Sequence, residues 1–298
     1  MRITLSGDLG SGKSSVGRRL SERLGIPYIS TGTLFREIGQ ISNMDALATN
    51  LAAETNTEID AAVDERTREL NKTLPHFIID SRMAWHFVTD AVRVFLSVCP
   101  ETAAYRIVSD QTRKGERYGS KASALEMLAR RRKSELKRYK TLYNVDIEDQ
   151  SNYDLWIITD DAEIDDICEV ILSFSQKKVS QRRWIPKRRI VPMVDIRDAS
   201  EVVFSTLSID DQLVLPVLIS RNFGFFFQEA HALISALNYE RSLVPYRTDA
   251  PTHIDSSRDP FDVAIRKVTA TDLYDWEKAC RVQFSFHRCI DEASDTPG

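Results

Sequence analysis

The chain of 298 residues lacks any uninterrupted apolar run approaching the ~18 residues of a membrane span, which excludes a transmembrane helix. Its first residues, Met1 to Leu5, lead straight into a strand-like segment and show no signal-peptide pattern. Cysteine is scarce: Cys99, Cys168, Cys280 and Cys289 form neither a Cys-x-x-Cys metal pair nor a dense disulfide ladder. Secreted disulfide scaffolds are excluded on that count, and a reducing, cytosolic compartment is expected. Only 11 glycines rule out a collagen-like repeat, and no other internal repeat is present. Cys280, His287 and Cys289 offer three candidate metal ligands without a fourth, and are read as structural.

What remains, 42% hydrophobic and 28% charged, is the composition of a chain that buries a core. The net charge of -4 conceals three blocks of alternating sign. Arg113 to Lys140 carries eleven basic residues against three acids, and Asp146 to Glu169 ten acids and no base. Lys177 to Arg189 then carries seven bases and no acid. A polyanionic ligand suits the basic blocks.

Over residues 1–175, strand-like and helix-like segments alternate as in a parallel sheet covered by helices. Strands are expected at Ile3–Ser6, Pro27–Ser30, Phe77–Asp80, Val92–Val98 and Leu155–Thr159, and helices at Ser14–Leu24, Asp45–Leu70 and Glu163–Phe174. The fold class is therefore α/β, with a five-stranded parallel sheet, followed by a smaller α+β region. Residues 176–189, basic and holding Pro186, read as a linker to an accessory domain over 190–298. That domain has strand candidates at Leu213–Ser220 and Gly224–Phe227, and helices at Ala230–Leu237 and Ala270–Phe284. Phe223, Phe225, Phe226 and Phe227 are expected in its core.

The sharpest motif is Gly7-Asp8-Leu9-Gly10-Ser11-Gly12-Lys13-Ser14, a full match to G-x-x-x-x-G-K-[ST] between a strand and a helix. Its glycines let backbone N–H groups converge on phosphate oxygens at a positive helix end. Gly7, Gly10, Ser11, Gly12, Lys13, Ser14 and Ser15 are the expected nucleotide-binding residues, with Lys13 reaching the β- and γ-phosphates and Ser14 ligating Mg²⁺. Arg36 and Arg82 follow the second and third strands at one sheet edge, where two guanidinium forks would hold the phosphate of an acceptor. Asp80, ending the third strand, could bind Mg²⁺ through water or accept a proton. On a helix, Arg131, Glu135 and Arg138 share one face. Together with Arg132 they suit a lid, over about residues 113–140, that neutralises charge on transferring phosphates.

Five segments carry a family resemblance: ITLSGDLGSGKSS, PYISTGTLFRE, IDSRMAW, VFLSVCPETAAYRI and RRRKSELKRYKTLYNVDIEDQSNYDLWIITD. Met1 to about Phe174 resembles the cytidylate kinase-like branch of the P-loop nucleoside monophosphate kinases. The resemblance implies an ATP·Mg²⁺ donor site at the glycine-rich loop, an acceptor site over Arg36 and Arg82, and lid arginines among Arg131, Arg132 and Arg138. Ser30, Ser81, Trp85 and His86 depart from the family pattern, and no cytosine-reading set stands out. Within residues 190–247 the chain is weakly similar to the ParB/sulfiredoxin-like fold, but Ala230 and Leu233 replace the glycine and arginine around His231. The expected activity is transfer of the γ-phosphoryl of ATP to a nucleotide or nucleotide-like acceptor. A hydroxymethylated pyrimidine base in DNA, held by the basic linker and accessory domain, is the alternative acceptor, and a non-catalytic ATP-binding switch is the alternative role.

Overall fold

A computed structural model describes residues 1–33, 58–110, 120–193, 214–227, 233, 236–237, 242–248 and 258–294. The chain divides into two compact units, Met1–Trp156 and Ile157–Gly298, and the division falls inside a strand.

In the first unit β1 (Arg2–Gly7) leads through the glycine-rich turn into α1 (Lys13–Leu24). Next come β2 (Tyr28–Ser30), α2 (Glu58–Thr73), β3 (Phe77–Asp80) and the short α3 (Ala84–Phe87). β4 (Val92–Ser97), α4 (Pro100–Ser109), α5 (Lys121–Tyr143) and β5 (Leu155–Ile158) complete it. The strand order is β2-β3-β1-β4-β5, with β1 parallel to β3 and β4, and β2 parallel to β3. All of β3 and most of β1 are buried, as befits a parallel sheet covered on both faces. The register pairs Leu5 and Ser30 with Asp80, and Gly7 with Leu96. The carboxyl ends of β1, β2, β3 and β4 thus meet at one edge, where open α/β sheets bind ligands.

Helix α5 owes its length of 23 residues to strong ends. Ser120 and Ser123 form a reciprocal capping box, and Asn144 closes the helix in the left-handed region at φ 54°. The basic block expected as a lid over 113–140 contributes this helix, while residues 111–119 lie outside the described residues. The helix expected over Asp45–Leu70 is described from Glu58 onward and continues to Thr73.

The second unit holds α6 (Ile164–Ser175), β6 (Arg183–Pro186), β7 (Ile190–Pro192), β8 (Leu215–Pro216), β9 (Leu218–Ser220), β10 (Phe223–Phe226) and β11 (Leu243–Arg247). Helices α7 (Pro260–Lys267), α8 (Ala270–Cys280) and α9 (His287–Ser294) follow. β11 is antiparallel to β6 and parallel to β8, and a small separate sheet has the order β7-β10-β9. Phe225, Phe226, Trp276, Phe284 and Phe286 are fully or almost fully buried in one core, which also takes Phe223.

Three expectations differ here. The basic stretch read as a linker contains β6 and a tight turn, Lys187–Arg189, in which Lys187 and Arg189 are buried. The apolar pair Trp184–Ile185 carries that strand into the core and is masked in the sequence by the surrounding charge. The single strand expected at Leu213–Ser220 is two short strands parted at Val217, whose N–H turns to Arg247 O (2.9 Å) beside the N–H-less Pro216. The helix expected to reach Phe284 stops at Cys280, with Arg281 at φ 54° and the Phe284 N–H donating to Glu277 Oε1 (2.7 Å). The helix expected at Ala230–Leu237, including His231, lies mostly outside the described residues.

Within this unit Asp160 is fully buried and doubly engaged. Arg189 Nη2 donates to its Oδ1 (2.8 Å) and Asn222 Nδ2 to its Oδ2 (2.8 Å). Arg189 also pairs with Asp161 (2.9 Å) and lies over the Phe223 ring.

Candidate active site

The turn from β1 to α1 is held by its own polar groups. Asp8 N–H donates to Leu96 O (3.0 Å), and Asp8 Oδ2 accepts from the Val98 N–H (3.0 Å). Ser11 Oγ donates to Asp8 O (2.9 Å). Gly10, at φ 77°, presses on α4 so closely that a Cβ would lie 3.0 Å from the Ala103 Cα. No L side chain is at ease there. Lys13 Nζ donates to Gly7 O (3.0 Å) and Asp8 O (2.6 Å), which curls it over the loop. Burial, with the Arg82 guanidinium nearby, pulls its ammonium down to about 7. A cation so poorly solvated gains most from an incoming anion.

The edge of β3 supplies a carboxylate. Asp80 Oδ2 accepts from Ser14 Oγ (3.1 Å) and from the Tyr28 hydroxyl (3.1 Å). Its carbonyl accepts from Thr31 Oγ1 (3.1 Å). Beyond it, Ser81 Oγ accepts from the Met83 N–H, and Trp85 Nε1 donates to Arg82 O, which fixes the loop carrying Arg82.

Helix α5 meets this edge with paired charges. Glu135, 2% exposed, takes Arg82 Nε on one oxygen (3.0 Å) and Arg131 Nε on the other (3.1 Å). Burial alone would raise its carboxyl. The guanidiniums of Arg82 and Arg131, and then of Arg132 and Arg138, pull it down to about 2 instead. Arg132 pairs with Asp8 in the glycine-rich loop (3.4 Å) and with Glu148 (2.8 Å). Arg138 pairs with Asp60 of α2 (3.0 Å) and donates to the Tyr139 hydroxyl. Asp60 is pushed up to about 6 by burial against the opposing pull of Arg138. One turn further along α2, Asp64 accepts from the Tyr143 hydroxyl (2.7 Å).

Of the residues expected from sequence, Lys13, Ser14, Asp80, Arg82, Arg131 and Arg132 gather at this edge, with Gly7, Gly10, Ser11 and Gly12 in the turn and Ser15 in the first turn of α1. Arg138 is drawn toward Asp60 rather than first toward Glu135. Arg36 lies outside the described residues. Sequence reading passed over Asp8, Tyr28 and Asp60. Asp8 stands at a variable position of the motif, Tyr28 looks like one more strand residue, and Asp60 sits on a helix face that reads as solvated.

The donor set fits a magnesium nucleotide. Nη1 of Arg82 and Nη1 of Arg132 are buried without a hydrogen-bond partner among the described residues, so two guanidinium NH2 groups lack an acceptor that phosphate oxygens would supply. Ser14 and Asp80 offer hard oxygen ligands within hydrogen-bond reach of each other. No group of three His, Cys, Asp or Glu side chains converges among the described residues. His287 pairs instead with Glu277 (3.1 Å). A sparse oxygen site of this kind suits Mg²⁺, which keeps waters and shares phosphates rather than filling a protein cage. Among the described residues no helix is long and apolar enough to cross a membrane.

Residues 2–161 match the Cytidylate kinase-like family. A cytidylate kinase of Methanobrevibacter smithii is 33% identical over 173 residues, 58% of this chain and 97% of that protein. One from Methanocorpusculum labreanum is 36% identical over 156 residues, 52% of this chain and 85% of its own. Among solved structures, shikimate kinase from Bacteroides thetaiotaomicron has a TM-score of 0.43 at 14% identity, over 59% of this chain and 98% of that one. With the matched stretch spanning the glycine-rich loop, Asp80, Arg82 and the whole of α5, the chain belongs to the cytidylate kinase-like family.

Proposed function

We propose that this kinase transfers the γ-phosphoryl group of ATP to a nucleoside monophosphate, with CMP the foremost acceptor. The observation that carries the reading is the buried Glu135, which gathers Arg82 and Arg131 while the neighbouring Arg132 reaches Asp8 in the phosphate loop. Phosphoryl transfer asks little covalent chemistry of a protein and much positioning and charge neutralisation. In this scheme the loop amides and Lys13 hold the donor's phosphates, and Ser14 and Asp80 hold Mg²⁺. The metal supplies neutralisation of charge on the β- and γ-oxygens. Arg82 holds the acceptor's phosphate, as Arg36 does on the sequence argument. Arg131 and Arg132 meet the charge that spreads over the transferring group, and Arg138 anchors their helix to α2. Asp80 already shares one oxygen between two hydroxyls, so it is assigned to the metal rather than to proton transfer.

The names of the relatives support CMP, and no observation favours a base in DNA. Lys187 and Arg189, two of the seven cations expected to face such a polyanion, are buried, and Arg189 is committed to Asp160 and Asp161. The test is ATP consumption by the full-length protein with CMP, dCMP, UMP, dTMP or hydroxymethylated DNA as the acceptor. Turnover with CMP or dCMP, abolished in Lys13→Ala, is the expected result. Turnover confined to DNA, or absent with every acceptor, overturns the proposal.

A further inference from the structure

Tyr28 sits at the start of β2, outside the glycine-rich loop, yet its hydroxyl ends on the oxygen of Asp80 that also accepts from Ser14 (3.1 Å each). The backbone at Asp80 is already fixed, by pairing with Leu5 and Ser30 and by Thr31 at its carbonyl. What remains free is rotation of the carboxylate, and the Tyr28 hydroxyl removes it. The ring that delivers this hydroxyl is given room at a cost. It lies against α1 at Gly17, where a Cβ would come 2.3 Å from Cε2 and 2.6 Å from Cδ2. Glycine inside a helix is destabilising relative to alanine, so its presence there answers to the ring.

We infer that Tyr28 is a positioning residue for magnesium: it sets the Asp80 carboxylate so that Ser14 and Asp80 present a preformed pair of oxygens to the metal. The inference rests on the reading of Ser14 and Asp80 as the magnesium-binding pair. Groups that orient a ligand from behind typically matter about 10- to 100-fold in metal affinity. Tyr28→Phe keeps the ring on Gly17 and removes only the hydroxyl.

The experiment is calorimetric binding of ADP to the full-length protein, with and without Mg²⁺, at constant ionic strength. The wild type is expected to bind ADP more tightly with Mg²⁺. Tyr28→Phe is expected to keep its metal-free ADP affinity within about twofold and to lose about tenfold of the magnesium-dependent gain. Gly17→Ala, which crowds the ring off α1 while leaving every hydroxyl in place, is expected to show the same selective loss. A full magnesium gain in either folded variant overturns the inference about Tyr28. ADP binding by the wild type that ignores Mg²⁺ overturns the magnesium reading of Ser14 and Asp80 itself.

Discussion

Replacing Glu135 by glutamine keeps the shape of the side chain and takes its charge from between Arg82 and Arg131. The size of the effect follows from the site. Against burial, the surrounding guanidiniums bring this carboxyl from 4.5 to about 2. At ~1.36 kcal/mol per unit, that displacement corresponds to about 3 kcal/mol of native-state stabilisation. Removal of one partner from a buried pair gives a similar figure, roughly 3–5 kcal/mol. For units of this size 1 kcal/mol moves the melting temperature by roughly 2–4 °C, so Glu135→Gln is expected to melt about 6–12 °C lower. The pH dependence has a definite sign. A carboxyl held below its ordinary range stabilises the fold fully above about 4.5 and loses that contribution as pH falls toward 2. The gap between wild type and variant is therefore flat from neutral pH upward. Circular dichroism melts of the full-length protein at low salt measure both features. A shift of less than ~2 °C, or a gap that grows steadily between pH 6 and 9, would refute the assignment of Glu135 as the shared counter-charge.

Three further outcomes are expected. Gly10→Ala places a Cβ 3.0 Å from the Ala103 Cα at φ 77°, and weakens ATP binding about tenfold or more in equilibrium titration. Arg189→Gln leaves the fully buried Asp160 short of its cation and costs roughly 3–5 kcal/mol in urea unfolding. Asp60 is raised from 3.8 to about 6, so the native state holds its proton more tightly than the unfolded chain does. Its contribution is greatest at low pH and is lost as pH rises through about 6. Asp60→Asn flattens that slope in melts between pH 4.5 and 7.

The strands of the first unit were legible because each is a short apolar run ending in a polar or turn residue, and β3 falls on the expected residues Phe77–Asp80. The glycine-rich loop was legible because its chemistry is local: loop, lysine and serine are consecutive. The second unit was harder to read. β6 hides one apolar pair among arginines, and β11 carries Pro245 in its interior. Within α5, the Arg131–Glu135 pair follows from i,i+4 spacing alone. The partners of Arg132 and Arg138 do not, because Asp8 and Asp60 lie more than seventy residues away in the chain and meet them only through the fold. Tyr28 escaped for a related reason, since its meaning depends on a glycine in one helix and an aspartate in another strand.

The match to the cytidylate kinase-like family ends at residue 161, but the contacts of the charges at its end do not. Asp160 and Asp161 are neutralised by Arg189, and Asp160 is also held by Asn222, both of which lie beyond that match. In this chain the charge balance of that turn depends on residues outside the family match. A fragment cut at residue 161 or 175 therefore loses both Arg189 and Asn222 from around Asp160. The end of the kinase match and the sequence after it thus share one buried charge network, and a change at Asp160 bears on Arg189 and Asn222 as well.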